Sequence, residues 1–177
     1  MRQPLPSKYY LNHAHELFDF VAKQCGTLLT PEHKDYLHGV SALSDDAQCM
    51  LVRCLARKPK FIKLSSLNYA EILNCQAALA ELQAKNYLRV ANHHDWRQLS
   101  QQLTKPQLIK SLVHAPIKIR ASTNKSELVD HAEHYLNGQE AHLPSLLNSI
   151  IVRQRSDLIE YIFFLFFGDI SNRFQQF

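Results

Sequence analysis

Ser44-Asp45-Asp46-Ala47-Gln48-Cys49-Met50-Leu51-Val52-Arg53-Cys54-Leu55-Ala56-Arg57-Lys58-Pro59-Lys60-Phe61-Ile62-Lys63-Leu64 is the stretch on which the fold turns. A serine followed by two acids is a helix start: the hydroxyl accepts an orphan N–H, and the carboxylates face the positive end of the helix dipole. Ala47, Leu51, Cys54 and Leu55 fall on one face, which predicts a core-facing helix that Pro59 ends. Arg53 and Arg57, four residues apart, fall together on another face. Phe61–Leu64 then reads as a short strand.

Upstream, Tyr10, Leu11, Ala14, Leu17, Phe18 and Val21 recur at helical spacing, so Lys8 to Cys25 is predicted as a helix that Gly26 stops. Thr30-Pro31-Glu32 opens a second helix running to Val40. Downstream, a short helix is expected over Leu67–Ile72. Asn74 caps another over Cys75–Lys85, and Tyr87–Val90 reads as a strand. Helix, short strand, helix, helix, strand is the element order of a winged helix-turn-helix domain. His93–Trp96 reads as a polar junction. Thr104 caps a helix from Lys105 to Val113, Ala115–Arg120 is extended, and Thr123 or Asn124 caps a helix over Lys125–Leu136. Gly138–Pro144 reads as a loop, with helix resuming from Pro144 onward. The expected organisation is mainly α. Residues 1–95 hold the N-terminal helices and the winged helix, 96–140 a helix–linker–helix unit, and 141–177 a helical segment leading to a further part.

Composition fits this outline. The chain has 177 residues, 46% hydrophobic and 20% charged, with 4 glycines, too few for a fold rich in tight hairpins. Met1–Ser7 carries no apolar signal segment, and the apolar run Leu158–Phe167 is shorter than the ~20 residues a membrane span needs. No membrane partner is expected. Cys25, Cys49, Cys54 and Cys75 form no C-x-x-C pair, so reduced, mostly buried thiols are expected.

The net charge of +4 is modest, but its distribution is not. Ala47–Ala70 holds five basic residues (Arg53, Arg57, Lys58, Lys60, Lys63) and no acid. Trp96–Ser126 holds six (Arg97, Lys105, Lys110, Lys118, Arg120, Lys125), again without an acid. Such segregation raises local positive potential and points to a polyanion; a solvated basic surface with no partner is the competing reading.

Enzymatic constellations fare poorly. Asp19 with Glu32-His33-Lys34 has the composition of a metal-nuclease core, but both pieces fall in predicted helices rather than on adjacent strands. His131 and His134 share a helix face without an evident third ligand, and His93-His94-Asp95 suits a polar turn. No phosphate-cradling glycine loop or nucleophile elbow is present.

Asp46-Ala47-Gln48-x-x-Leu51-Val52-Arg53-x-Leu55-x-Arg57-Lys58, Phe61-Ile62-Lys63-Leu64-x-x-Leu67-x-Tyr69-x-Glu71-Ile72, Ala78-Leu79-x-Glu81-Leu82 and Tyr87-Leu88 together resemble the winged-helix region of Fanconi-associated (VRR-NUC) nucleases. Tyr9-Tyr10-Leu11 resembles that family's start. Leu103-Thr104-Lys105-x-x-Leu108-x-Lys110-x-Leu112 with Lys125-x-Glu127-Leu128-Val129 is similar to its SAP-type helix–linker–helix motif. Val113-His114-Ala115 and Ser122-Thr123-Asn124 stand where such motifs carry glycines. Phe166-Phe167-Gly168-Asp169 resembles a bacterial-type version of the segment leading to the family's helical repeats.

The resemblance implies the DNA-binding portion of a structure-specific repair nuclease that cuts 5′-flap and related branched DNA. The catalytic VRR-NUC domain, with its Mg²⁺ or Mn²⁺, lies in a part not matched here. The chain alone is therefore expected to bind no cofactor and to be no enzyme. The implied partner is branched or flap duplex DNA, met by Arg53, Arg57, Lys58, Lys63, Lys105, Lys110, Lys118, Arg120 and Lys125. Tyr9 or Tyr10, and Tyr69, match tyrosines that face DNA in the family; a core aromatic is the equal alternative. The resemblance implies a cytoplasmic, nucleoid-associated protein if bacterial and a nuclear one if eukaryotic. A homo-oligomer is allowed by the sequence. The alternative function is a winged-helix module that binds protein.

Overall fold

A computed structural model describes residues 6–112, 119–120, 122–136 and 145–168. The elements are α1 (Tyr9–Gln24), α2 (Pro31–Ser41), α3 (Asp45–Leu55), β1 (Phe61–Lys63), a 3₁₀ turn (Leu64–Ser66), α4 (Cys75–Ala84), β2 (Leu88–Val90), a 3₁₀ turn (His93–Asp95), α5 (Trp96–Gln102), α6 (Lys105–Ser111), α7 (Lys125–Leu136), α8 (Ser145–Asn148), β3 (Ile150–Arg153) and α9 (Ser156–Phe167). The fold is mainly helical with one small sheet, and α3–β1–α4–β2 follows the winged-helix order. None of the described helices is long and apolar enough to cross a membrane.

The chain divides into two compact units. The first comprises Met1–Lys60, Ser66–Arg89 and Arg153–Phe177; the second comprises Phe61–Ser65 and Val90–Val152. The units thus cut across the three consecutive segments outlined from the sequence, because residues after 144 contribute to both.

In the first unit α1 packs on α2, α3 and α9, and α3 packs on α4. The predicted apolar stripe of α1 is buried in full. Helix α3 is the centre: Ala47, Cys49, Met50, Leu51, Val52, Cys54 and Leu55 are all buried. The Ser44 hydroxyl caps it by accepting from the Ala47 amide, as its position predicts. At the other end, buried Arg153 donates from Nη1 to the carbonyls of Cys54 (3.5 Å) and Leu55 (3.3 Å). A cation there satisfies terminal acceptors at the negative end of the dipole. Asn74 caps α4 by accepting from Ala77. All four cysteines are free; Cys49 and Cys54 are buried and Cys25 and Cys75 half-buried.

In the second unit β3 pairs antiparallel with β1 in the register Phe61↔Val152, Ile62↔Ile151, Lys63↔Ile150, and the sheet order is β1–β3–β2. Ala91, just past β2, donates to the Ile150 carbonyl at 2.9 Å. Trp96, Leu99, Leu108, Leu112, Val129, Ala132, Leu147 and Ile150 form its core. Thr104 with Gln107 makes a capping box on α6, and Asn124 with Glu127 exchanges the same pair of bonds ahead of α7. Helices α6 and α7 stand where the two helices of the expected helix–linker–helix unit were placed, and most of the linker between them lies outside the described residues.

Three expectations are corrected. Leu67–Ile72 is not a helix: the 3₁₀ turn comes earlier, and the following residues are held irregular by side chains described below. The junction at His93–Trp96 continues directly into α5. The segment after Pro144 is not continuous helix, because β3 interrupts it. Ile150-Ile151-Val152 is a β-branched run buried throughout, the pattern of a central strand covered on both faces. The expected extended piece at 115–118 and the loop at 138–144 lie outside the described residues.

Gly39, within α2, supplies a sharp test of packing. A Cβ there would collide with the Tyr87 hydroxyl oxygen. The Tyr87 ring is buried edge-to-face on Tyr36, with centroids 5.3 Å apart, and its hydroxyl donates to the Tyr36 carbonyl at 3.3 Å. Alanine's better helix propensity gains ~1 kcal/mol, whereas overpacking costs ~1–3 kcal/mol. Gly39→Ala should therefore lower the urea midpoint, and the loss should shrink in a Tyr87→Phe background. An unchanged midpoint would show that Tyr87 moves aside freely.

Candidate nucleic-acid interface

Arg53 leaves α3 between the rings of Tyr10 and Tyr69, its guanidinium carbon 4.0 Å and 5.2 Å from their centroids. Its Nε and Nη2 both donate to Glu71 Oε1, at 3.0 and 2.6 Å. The Tyr10 hydroxyl donates to the same oxygen at 2.9 Å. Arg57 lies two residues past the end of α3, so it does not project from the helix as its spacing suggested. It donates to the Ser66 hydroxyl (2.7 Å), the Ser66 carbonyl (2.8 Å) and the Tyr69 hydroxyl (2.7 Å). The two arginines thus hold residues 66–71 against α1 and α3. These bonds take Ser66, Tyr69 and Glu71 into contacts that a regular turn of helix could not supply, which is why Leu67–Ile72 stays irregular.

Of the arginines expected to meet phosphate, Arg53 is tied to a carboxylate that lies one residue beyond the acid-free window, and Arg57 to Ser66 and Tyr69. Tyr10 is buried, and Tyr69 is half-buried with its hydroxyl accepting from Arg57. Tyr9 is half-buried, edge-on to Tyr10 and His13.

The lysines are placed differently. Lys58 is exposed where α3 ends. In the second unit Lys63 and Lys110 are exposed and line one groove with Gln107. Arg120 is exposed, Lys105 half-buried, and Lys125 half-buried with Nζ donating to the Gln101 carbonyl at 2.8 Å. Lys118 lies outside the described residues. Arg97 pairs with Asp130 at 3.6 Å and with Glu133, so α7 brings acids to the second basic window.

Sequence reading missed Glu71, Ser66, Arg153 and Gln107 as organising residues. Two of them carried a signal: Glu71 as the acid that ends a 24-residue run without one, and Gln107 as the third residue after the Thr104 cap. Helix α4 turns its Glu81 carboxylate to the Ser44 amide (3.1 Å) and hydroxyl (2.5 Å). The Asp46 carboxylate accepts from the Asn74 amide at 2.9 Å. What α4 leaves exposed is Gln76, Ala77, Ala80, Ala84 and Lys85, a face with little capacity to read base edges.

Burial alone would raise the Glu71 carboxyl, but the hydrogen bonds from Arg53 and Tyr10 outweigh it and hold its pKa below the usual value. A depressed carboxyl contributes stability that is complete above its unfolded pKa of ~4.3 and fades as pH falls through the folded value. Arg53→Met keeps an apolar stem but leaves the half-buried carboxylate unpaired, and should cost ~1–3 kcal/mol at pH 7 by urea unfolding. The penalty should shrink markedly at pH 3. An equal penalty at both pH values would assign it to lost packing on Tyr10 instead.

Residues 8–89 match the family described as the FAN1 HTH domain. A Fanconi-associated nuclease 1 homolog of Arabidopsis thaliana is 29% identical over 85 residues, covering 48% of this chain. One of Oryza sativa subsp. japonica is 26% identical over 149 residues, covering 80%. The matched regions span only 9% and 15% of those relatives. Among solved structures, paFAN1 bound to a 2-nt 5′-flap DNA with a gap aligns over 96% of this chain and 31% of its own, with TM-score 0.74 and 19% identity. The corresponding 1-nt flap complex aligns over 93% and 31%, with TM-score 0.72 and 21% identity. At such identity the structural likeness establishes the fold, and residues 8–89 are similar to the FAN1 HTH domain.

Proposed function

We propose that this chain is the DNA-binding portion of a structure-specific repair nuclease of the FAN1 type, engaging branched duplex DNA through its phosphates. The observation that carries this is the FAN1 HTH match on a winged-helix frame. Both solved relatives named above hold 5′-flap DNA. Exposed Lys58, Lys63, Lys110 and Arg120 supply cations, Lys63 from β1 and Lys110 from α6. Each phosphate they neutralise releases condensed counterions, which gives affinity without reading sequence. The poverty of α4 in base-reading side chains favours recognition of branch shape over a fixed sequence.

We place catalysis in a part of the protein not matched here. Asp19 and Glu32 both sit on helices, not on the adjacent strands a metal nuclease core needs. Hydrolysis with Mg²⁺ or Mn²⁺ would belong to a VRR-NUC part, and this chain spans less than a third of the solved relatives.

A protein-binding module is the second reading. Exposed Phe20, Phe164 and Phe166 on the first unit favour it, with Phe20 edge-on to Phe166 at 5.3 Å.

Fluorescence anisotropy with a labelled 5′-flap duplex separates the two. Four phosphate contacts predict an association constant that falls roughly hundredfold between 50 and 200 mM salt. Lys58→Glu and Lys110→Glu should each weaken binding and flatten that salt slope by about one contact, equally for unrelated sequences. Binding that is absent at 50 mM salt, or indifferent to salt, would contradict the DNA reading.

A further inference from the structure

The second unit contains a groove of about 430 Å³ lined by Lys63 of β1, Gln107 and Lys110 of α6, Leu103, Leu146 and two serines. We propose that it receives a single unpaired nucleotide of a DNA strand, with the phosphate against Lys63 and Lys110 and the base against Leu103 and Leu146. This rests on the DNA-binding reading and sharpens it to one subsite.

The volume suits a mononucleotide, and a duplex is far too wide to enter it. The donor inventory suits one as well. Gln107 Oε1 accepts from the Thr104 amide at 2.9 Å in the capping box, which fixes the amide plane and leaves the Nε2 hydrogens for a ligand. The hydroxyl protons of Ser111 and Ser149 are given to the carbonyls of Leu108 and Leu146, each at 2.7 Å. Their oxygens therefore present lone pairs, which match the amino and imino hydrogens of a base edge. Lys110 and Gln107 present donors, which match a phosphate, Lys63 lines the same groove, and among the described residues no carboxylate does.

The walls are fixed. Leu103 and Leu146 pack on the core of the unit yet remain half-exposed, so an aliphatic surface stays open for the face of a base. Lys63 stands in register with Ile150, and the Leu64 amide donates to the Ser149 carbonyl at 2.8 Å. The groove thus has an apolar body and a small set of oriented polar groups, as small-ligand sites do.

Gln107→Glu is the informative substitution. Glutamate in this position still accepts from the Thr104 amide and keeps the capping box, while it replaces the outward donor by a carboxylate. The full chain carrying it should unfold at the wild-type temperature. It should bind a duplex with a one-nucleotide 5′ flap roughly tenfold more weakly, and the same duplex with a flush nick nearly as before. In parallel, dTMP titrated into the ¹⁵N,¹³C-labelled wild-type chain should shift the Gln107 side-chain amide and the Leu103 and Leu146 methyls. Sodium phosphate at the same concentration should leave those methyls unmoved. Equal losses on flap and nick, no loss on either, or methyl shifts that phosphate alone reproduces would each overturn the subsite while leaving DNA binding intact. Failure of the wild-type chain to bind either duplex would overturn the DNA-binding reading itself.

Discussion

One oxygen of Glu71 collects three donors, two from Arg53 and one from Tyr10, and the course of the chain between α3 and α4 depends on that convergence. Tyr10 brings in α1 and Arg53 brings in α3, while Glu71 belongs to the segment they restrain. Arg57 fastens the same segment at Ser66 and Tyr69. An exposed ion pair is worth ~0–1 kcal/mol, but here the carboxylate side chain is only 11% exposed and the guanidinium lies over an aromatic ring. Such a cluster is costly to leave half-satisfied, so it fixes a single path where the backbone itself has no regular hydrogen bonding.

The cations consequently divide their labour. Three arginines, with their planar forks, are used inward: Arg53 on Glu71, Arg57 on the 66–69 segment, and Arg153 on the last carbonyls of α3. Lysine is used outward, at Lys58, Lys63 and Lys110. The proposed recognition of DNA by shape would need rigid supports more than base-reading side chains.

Local features were legible in the sequence because their causes are local. The caps Ser44, Asn74, Thr104 and Asn124 each act within three residues, and the apolar stripes of α1 and α3 need only helical periodicity. What escaped reading is non-local. The strand β3 exists because β1, nearly ninety residues earlier in the chain, pairs with it; its β-branched run was the available clue. The irregular segment at 66–74 depends on Arg57 and Arg53 reaching forward. Absence of acids along the chain is likewise not absence in space, as Arg53 with Glu71 and Arg97 with Asp130 both show.

The claim that most needs a direct look is that outward lysines, not the braced arginines, meet DNA. Lysine-acetylation footprinting of the chain with and without a 5′-flap duplex, read by mass spectrometry, addresses it residue by residue. Protection of Lys58, Lys63 and Lys110, with Lys23 of α1 and Lys34 of α2 modified as fast as in the free protein, is the predicted pattern. Uniform labelling of all five, or protection confined to Lys23 and Lys34, would contradict it.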